Sequence, residues 1–203
     1  MDEVIRADAR AVRPLSEMLT RAFAVDPIAC DLFPKVQGRR RRLERFFMVQ
    51  LRHAYLPRGE ILTYPDYAAA ALVVWPSAPP LAVRHQIATL RAVPLLGRNV
   101  LAAQELARTI MATHPTGPYA YLGTIGTEPA EQRTGRATRL IQAIVDRCDR
   151  EGLLCCIEAS KESNVSFYEH FGFVQERELA VRKGGPTLFV MRRSAKPRDS
   201  ITR

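Results

Sequence analysis

Apolar residues recur along this chain in two rhythms, and the change from one to the other lays out its elements. Stretches at 4–6, 61–64, 68–75 and 119–127 have the length and flanks of strands, and 153–158 is a mostly apolar run of the kind found in a sheet covered on both faces. Helical spacing takes over in between. Val12, Leu15, Leu19, Ala22 and Phe23 make one stripe, and Leu43, Phe46, Phe47, Leu51 and Ala54 another, inside a long predicted helix over 36–55 that ends before Pro57. The clearest stripe is Ala137, Leu140, Ile141, Ile144, Val145 and Cys148, with Arg139, Gln142, Asp146 and Arg150 opposite and Gly152 as the stop. Asp26-Pro27 breaks the first helical pattern. Residues 81–112 carry Leu, Ile and Ala at helical spacing around Pro94 and Gly97, which predicts two helices.

The chain of 203 residues is long enough for one good core, and no internal repeat or linker divides it, so one domain over 1–194 with a flexible basic tail over 195–203 is expected. No apolar run has the length of a membrane span and the amino terminus has no secretory pattern; a cytoplasmic location without membrane partners is the expectation. The four cysteines, Cys30, Cys148, Cys155 and Cys156, lack metal or disulfide-framework spacing and read as reduced packing residues. A net charge of +9 and the run Arg39-Arg40-Arg41-Arg42 raise nucleic acid as a partner. Those arginines open a helix, on its solvated end, and no stacking aromatics interleave with them, so no specific nucleic-acid partner is expected.

Between the 119–127 strand and the strongest amphipathic helix lies Gln132-Arg133-Thr134-Gly135-Arg136-Ala137. Glycine at such a turn lets backbone approach a ligand, and the free N–H groups of the first helical turn gather at the positive end of the helix dipole: a cradle for two linked phosphates. It is not the dinucleotide fingerprint and it lacks the Gly-Lys-Ser/Thr of a nucleoside-triphosphate loop.

The six residues instead resemble the Gln/Arg-x-x-Gly-x-Gly/Ala signature of the GNAT acetyltransferase superfamily. Glu128-Pro129 before the loop, Asn164-x-x-Phe167-Tyr168-Glu169-x-Phe171-Gly172-Phe173 after it, and Gly184-Gly185-Pro186 before a closing strand that ends in Met191-Arg192-Arg193 extend the likeness over 119–193. Ala22-Phe23-x-x-Asp26-Pro27 and Trp75-Pro76 look like the branch that includes puromycin N-acetyltransferase-like enzymes. The resemblance implies a single-domain α/β (α+β) GNAT fold, a mixed and mostly antiparallel central sheet flanked by helices, with acetyl-coenzyme A as co-substrate and no metal. It implies backbone contacts to the acetyl and pantetheine groups from Ile125, Gly126 and Thr127, and coenzyme contacts from Gln132, Arg133, Thr134, Gly135, Arg136, Ala137, Thr138 and Asn164. The sequence departs from the family at Thr127, where valine is more usual, and at Arg133, where many members carry a second glycine; neither removes a backbone N–H.

Acetyl transfer to an amine needs a base for an ammonium that is mostly protonated at neutral pH and an acid for the departing thiolate. Glu158, at the end of the 153–158 strand, is the candidate base, against the alternative of a strand-end carboxylate in water or paired with an arginine. Tyr168 is the candidate acid by its family position, against a core tyrosine among Phe167, Phe171 and Phe173. Asn164 caps the short helix on one reading and touches coenzyme A on the other. A cysteine nucleophile lacks a histidine nearby in sequence. His114, before Pro115, reads as a solvated loop histidine that touches an acceptor at most, and His53, His85 and His170 lack metal spacing. The expected activity is acetyl transfer from acetyl-coenzyme A to a small-molecule amine, by a monomer or homodimer. A protein lysine or N-terminal acetyltransferase and a non-catalytic acyl-coenzyme A sensor are the alternatives.

Overall fold

The computed structural model describes residues 3–57, 59–76 and 99–196. Their strands are β1 (Ile5–Arg6), β2 (Glu60–Thr63), β3 (Ala69–Val74), β4 (Tyr119–Thr127), β5 (Leu154–Ala159), β6 (Val174–Ala180) and β7 (Thr187–Arg193), which form one sheet in the order β1-β2-β3-β4-β5-β7-β6. β4 and β5 are parallel and every other neighbouring pair is antiparallel. The mixed, mostly antiparallel sheet flanked by helices is the α/β arrangement that the sequence implied.

Helices α1 (Val12–Ala22), α2 (Pro27–Leu32), α3 (Arg39–Gln50) and α4 (Val100–Thr113) precede β4, α5 (Arg136–Glu151) joins β4 to β5, and the short α6 (Val165–Glu169) follows β5. β3 shows how one strand serves two layers. Ala70, Leu72 and Val74 pack with Leu15, Leu19, Leu43 and Phe47 of α1 and α3, while Ala69, Ala71 and Val73 pack with Leu140, Ile141 and Ile144 of α5. All six β3 residues are buried, as expected of a strand covered on both faces.

Three elements depart from the sequence pattern. Asp26-Pro27 starts α2 rather than only ending α1: Asp26 Oδ1 accepts from the N–H groups of Ile28 and Ala29, and Pro27 takes the first helical position, where no donor is missed. The helix expected over 36–55 begins at Arg39, after Gly38 at φ +72°, and its last turn widens into a π-helical turn over Leu51–Tyr55, with Leu56 N–H donating to Leu51 O. β6 has no apolar signature because it is an edge strand: Gln175, Glu176, Arg177 and Glu178 occupy its centre, and charge on an edge keeps other chains from pairing with it.

Arg39 and Arg42 do not simply point into water. Arg39 donates to the Phe33 and Pro34 carbonyls and Arg42 to those of Lys35 and Gln37, so they tie the α2–α3 turn together. Of the two helices expected over 81–112, α4 is the second; the first, with His85, falls on residues 77–98, outside those described, as does most of the tail. Among the described residues no helix is long and apolar enough to cross a membrane.

Candidate active site

β4 and β5 begin as neighbours and then part. Their ladder runs over Tyr119–Tyr121 and Leu154–Cys156, after which β4 continues to Thr127 bonded to β3 on its other side. The later residues of β4 thus leave backbone N–H and C=O groups directed into the gap between the strands, and buried backbone polar groups require partners. Gly123 is the extra residue of a β-bulge, since Val73 pairs with Leu122 and Leu72 with Thr124. A Cβ on Gly123 would lie 2.3 Å from the Tyr55 hydroxyl, and one on Gly126 would lie 2.9 Å from Leu19 and 3.0 Å from Phe23. Both glycines let the strand sit close to its neighbours.

A single turn over Pro129–Glu131 leads from β4 to the loop, and Thr134 Oγ1 donates to Glu131 O to brace it. Arg133 and Gly135 have φ of +65° and +84°. A Cβ on Gly135 would meet only Arg139 Nη2, at 3.8 Å, so the backbone conformation rather than crowding calls for glycine. No side chain caps α5, and its first N–H groups and positive dipole end are left for an anion. Arg136 is engaged: its guanidinium lies over the Tyr64 ring at 5.0 Å and pairs with Asp66 at 2.8 Å and Glu131 at 3.4 Å. It ties the loop to Tyr64 and Asp66.

The gap between the strands opens into a cleft of about 840 Å³ lined at one end by Gln132, Arg133 and Gly135–Thr138 and along its wall by Ile125, Gly126, Thr127 and Asn164. Of the residues expected to bind the coenzyme, Thr134 alone is not among those lining it. Asn164 makes no side-chain cap to α6, contrary to the capping alternative, which leaves its amide to the cleft.

Glu158 and Tyr168 line the same cleft. Glu158 is no solvated strand end: its side chain is 3% exposed, its Oε1 accepts from Thr113 Oγ1 at 2.9 Å, and its Oε2 is buried with no hydrogen-bond partner. Beside it stands His114, also 3% exposed, with Nε2 3.5 Å from Glu158 Oε1 and Nδ1 3.0 Å from the Tyr119 hydroxyl. His114 is therefore a buried histidine between the Tyr119 and Tyr121 rings, not the solvated loop residue that its place before Pro115 suggested. Arg192 of β7 donates to the Thr113 carbonyl and pins this end of α4. Thr113, Tyr119 and Tyr121 carry no motif that marks them, because their relation to Glu158 arises only when α4, β4 and β5 meet. Burial and the Glu158 charge push the Tyr121 phenol well up, and burial pushes that of Tyr119 up.

Tyr168 packs against Phe167 and Phe173, and burial, with the nearby Asp26 charge, pushes its phenol well above the usual range. It is both a core ring and a hydroxyl that keeps its proton at neutral pH. None of the four cysteines is among the lining residues. Burial pushes the Cys156 thiol up to about 12, far from a thiolate.

A backbone cradle at an uncapped helix start and unpaired strand groups leading from it toward a carboxylate fit a ligand with linked phosphates and a long amide-bearing arm. The family model of the acetyltransferase (GNAT) family matches residues 62–173, which include the cradle, Glu158 and Tyr168. An uncharacterized N-acetyltransferase of Schizosaccharomyces pombe is 41% identical over 59 residues, 29% of this chain and 24% of that protein, so the match spans about a quarter of that relative's length. Among solved structures, the histone acetyltransferase HPA2 and related acetyltransferase from Corynebacterium glutamicum is 22% identical with a TM-score of 0.74, covering 98% of this chain and 99% of that one. Arylalkylamine N-acetyltransferase 2 from Aedes aegypti is 10% identical with a TM-score of 0.59, covering 96% and 99%. Both share the fold.

Proposed function

The chain belongs to the acetyltransferase (GNAT) family, and from that premise we propose that it transfers an acetyl group from acetyl-coenzyme A directly to the primary amine of a small molecule. The observation that carries this reading is Glu158, a buried carboxylate with one oxygen held and the other without a partner, in a cleft whose far end is a phosphate cradle.

Acetyl-coenzyme A, when bound, supplies the activated thioester. The α5 N-terminus and the loop backbone hold its pyrophosphate, while the β4 groups at Ile125, Gly126 and Thr127 orient the arm; Asn164 and Arg133 add side-chain contacts. Thr113 and His114 keep Glu158 Oε1 turned away, and Oε2 takes a proton from the incoming ammonium. A Tyr119 hydroxyl that donates to His114 Nδ1 leaves the imidazole hydrogen on Nε2, facing the carboxylate. The Tyr168 hydroxyl, protonated throughout the neutral range, donates to the departing sulfur. No cysteine lines the cleft, which favours direct transfer over an acetyl-enzyme.

The acetylation of small amines is favoured over that of proteins by the likeness of Phe23, Asp26-Pro27 and Trp75-Pro76 to the puromycin-type branch. Release of coenzyme A thiol in the presence of an amine tests the reading. Glu158→Gln keeps the shape but cannot accept a proton, so it should slow an amine of high pKa by about a hundredfold and spare one that is neutral at the assay pH. Equal losses for both would make Glu158 a positioning group.

A further inference from the structure

Among the described residues the acceptor end of the cleft is mostly apolar. Phe23, Leu32, Phe46, Phe47, Leu106 and Ile110 form its walls, and Asp26, Gln50 and Tyr55 are the polar residues among the described lining residues from Ala22 to Ile110. The described cations that line the cleft, Arg133, Arg136 and Lys161, stand on the phosphate loop, at the start of α5 and on the turn after β5. None is on the helices that wall this end.

The carboxylates differ in what they have left to offer. Asp26 spends Oδ1 on the N–H groups of Ile28 and Ala29 and accepts the Ser160 hydroxyl at Oδ2. Glu131 belongs to the phosphate end and pairs with Arg136 at 3.4 Å. Glu158 has Oε1 taken by Thr113 and Oε2 without a partner. Thr113 Oγ1 also lies 2.7 Å from the Ile110 carbonyl, so its single hydroxyl proton is shared between Ile110 O and Glu158 Oε1, and Glu158 stands at the end of α4. Glu158 lines the same cleft as the apolar side chains of α3 and α4.

We propose that the acceptor is a primary monoamine on an uncharged aromatic or branched hydrocarbon body, its ammonium at Glu158 Oε2 and its body among Phe46, Phe47, Leu106 and Ile110. This rests on the acetyl-transfer reading of the same cleft. A second ammonium, as in a diamine, or a carboxylate, as in an amino acid, would meet no opposite charge on the described lining side chains of α1 to α4, and burying an unpaired charge costs enough to lower kcat/KM by about a hundredfold or more. The body itself gains from burial of its apolar surface.

Two readouts on the full chain test the proposal: binding by calorimetry in the presence of coenzyme A, and thiol release from acetyl-coenzyme A, each with 2-phenylethylamine, phenylalanine and 1,4-diaminobutane. Phenylalanine differs from the first only by its carboxylate. The expected result is a preference for 2-phenylethylamine of about a hundredfold over both in kcat/KM, mirrored in binding. Preferential binding of 2-phenylethylamine with no thiol release would support the acceptor class and overturn the transfer reaction. Thiol release as fast with the diamine or the amino acid, or no binding of 2-phenylethylamine, would overturn the class. Leu106→Glu supplies a second anion on the half-buried inner face of α4 and should shift the ratio toward the diamine by about tenfold; an unchanged ratio would remove the chamber from acceptor recognition.

Discussion

His114 Nε2 lies 3.5 Å from Glu158 Oε1, with both side chains 3% exposed and Thr113 Oγ1 already donating to that same oxygen. The pair is built from the end of α4 and from β5, and its effect is to commit one carboxylate oxygen and leave the other. His114→Phe keeps a ring between Tyr119 and Tyr121 and loses both nitrogens. The expected outcome is a fall in kcat of about tenfold, from the loss of a polar group beside the carboxylate, with coenzyme affinity unchanged. His114→Gln, which restores a donor near the Nε2 position, should recover part of it. Steady-state kinetics of the two variants decide whether His114 acts through Glu158 or only fills space.

Tyr168→Phe removes a hydroxyl from a ring that still packs on Phe167 and Phe173, so the fold and coenzyme binding should be kept while kcat drops about a hundredfold. Burial and Asp26 raise this phenol, so its proton is lost only at high pH. The rate should therefore show no alkaline limb from Tyr168 between about pH 7 and about 9. A full-rate phenylalanine variant would take the acid role away from this residue.

Gly135→Glu places a side chain at φ +84° and a negative charge in front of an uncapped helix start. Coenzyme A should raise the melting temperature of the natural chain, because a ligand that binds only the folded state stabilises it by mass action, and should leave the variant unshifted. A retained shift would place the phosphate site elsewhere.

Arg193 is 3% exposed and makes a two-pronged ion pair with Asp149, 2.7 Å on each side, which anchors β7 to α5. The Arg193 hydrogen bonds hold the Asp149 carboxyl below its ordinary range. A depressed carboxyl pKa contributes stability that is complete above the unfolded value of about 3.9 and is lost as pH falls through the folded one. Asp149→Asn should cost about 2 kcal/mol at neutral pH, a figure reduced because Asp149 is 25% exposed, and should flatten the acid side of the stability profile. Urea melts at several pH values measure both.

Much of this architecture was legible in the chain. The 119–127 strand, the helix after Gly135 and the strand before Glu158 stand where the apolar periodicity put them, because each buries a full face or stripe and the pattern is local. β6 and α2 were not legible. β6 is an edge with charged residues through its centre, and α2 has only six residues, too few for a periodic stripe, so its start at Asp26-Pro27 read as a break.

The sequence by itself determined the turn at Gly135 and the helix start behind it, since a glycine-bearing turn between a strand and a strongly amphipathic helix is written in consecutive residues, and the likeness to acetyltransferases pointed to Glu158 and Tyr168. The surroundings that give Glu158 its character were decided in three dimensions. Thr113 is 45 positions away from Glu158 in the chain, and His114 follows a helix end with nothing in its local pattern to mark it as buried. Both reach Glu158 because Arg192 ties the end of α4 to β7, and β4 carries Tyr119 and Tyr121 alongside β5. Spacing along a chain reports only which face of an element is apolar; which polar atoms are buried together, and which of them is left without a partner, depends on how the elements pack.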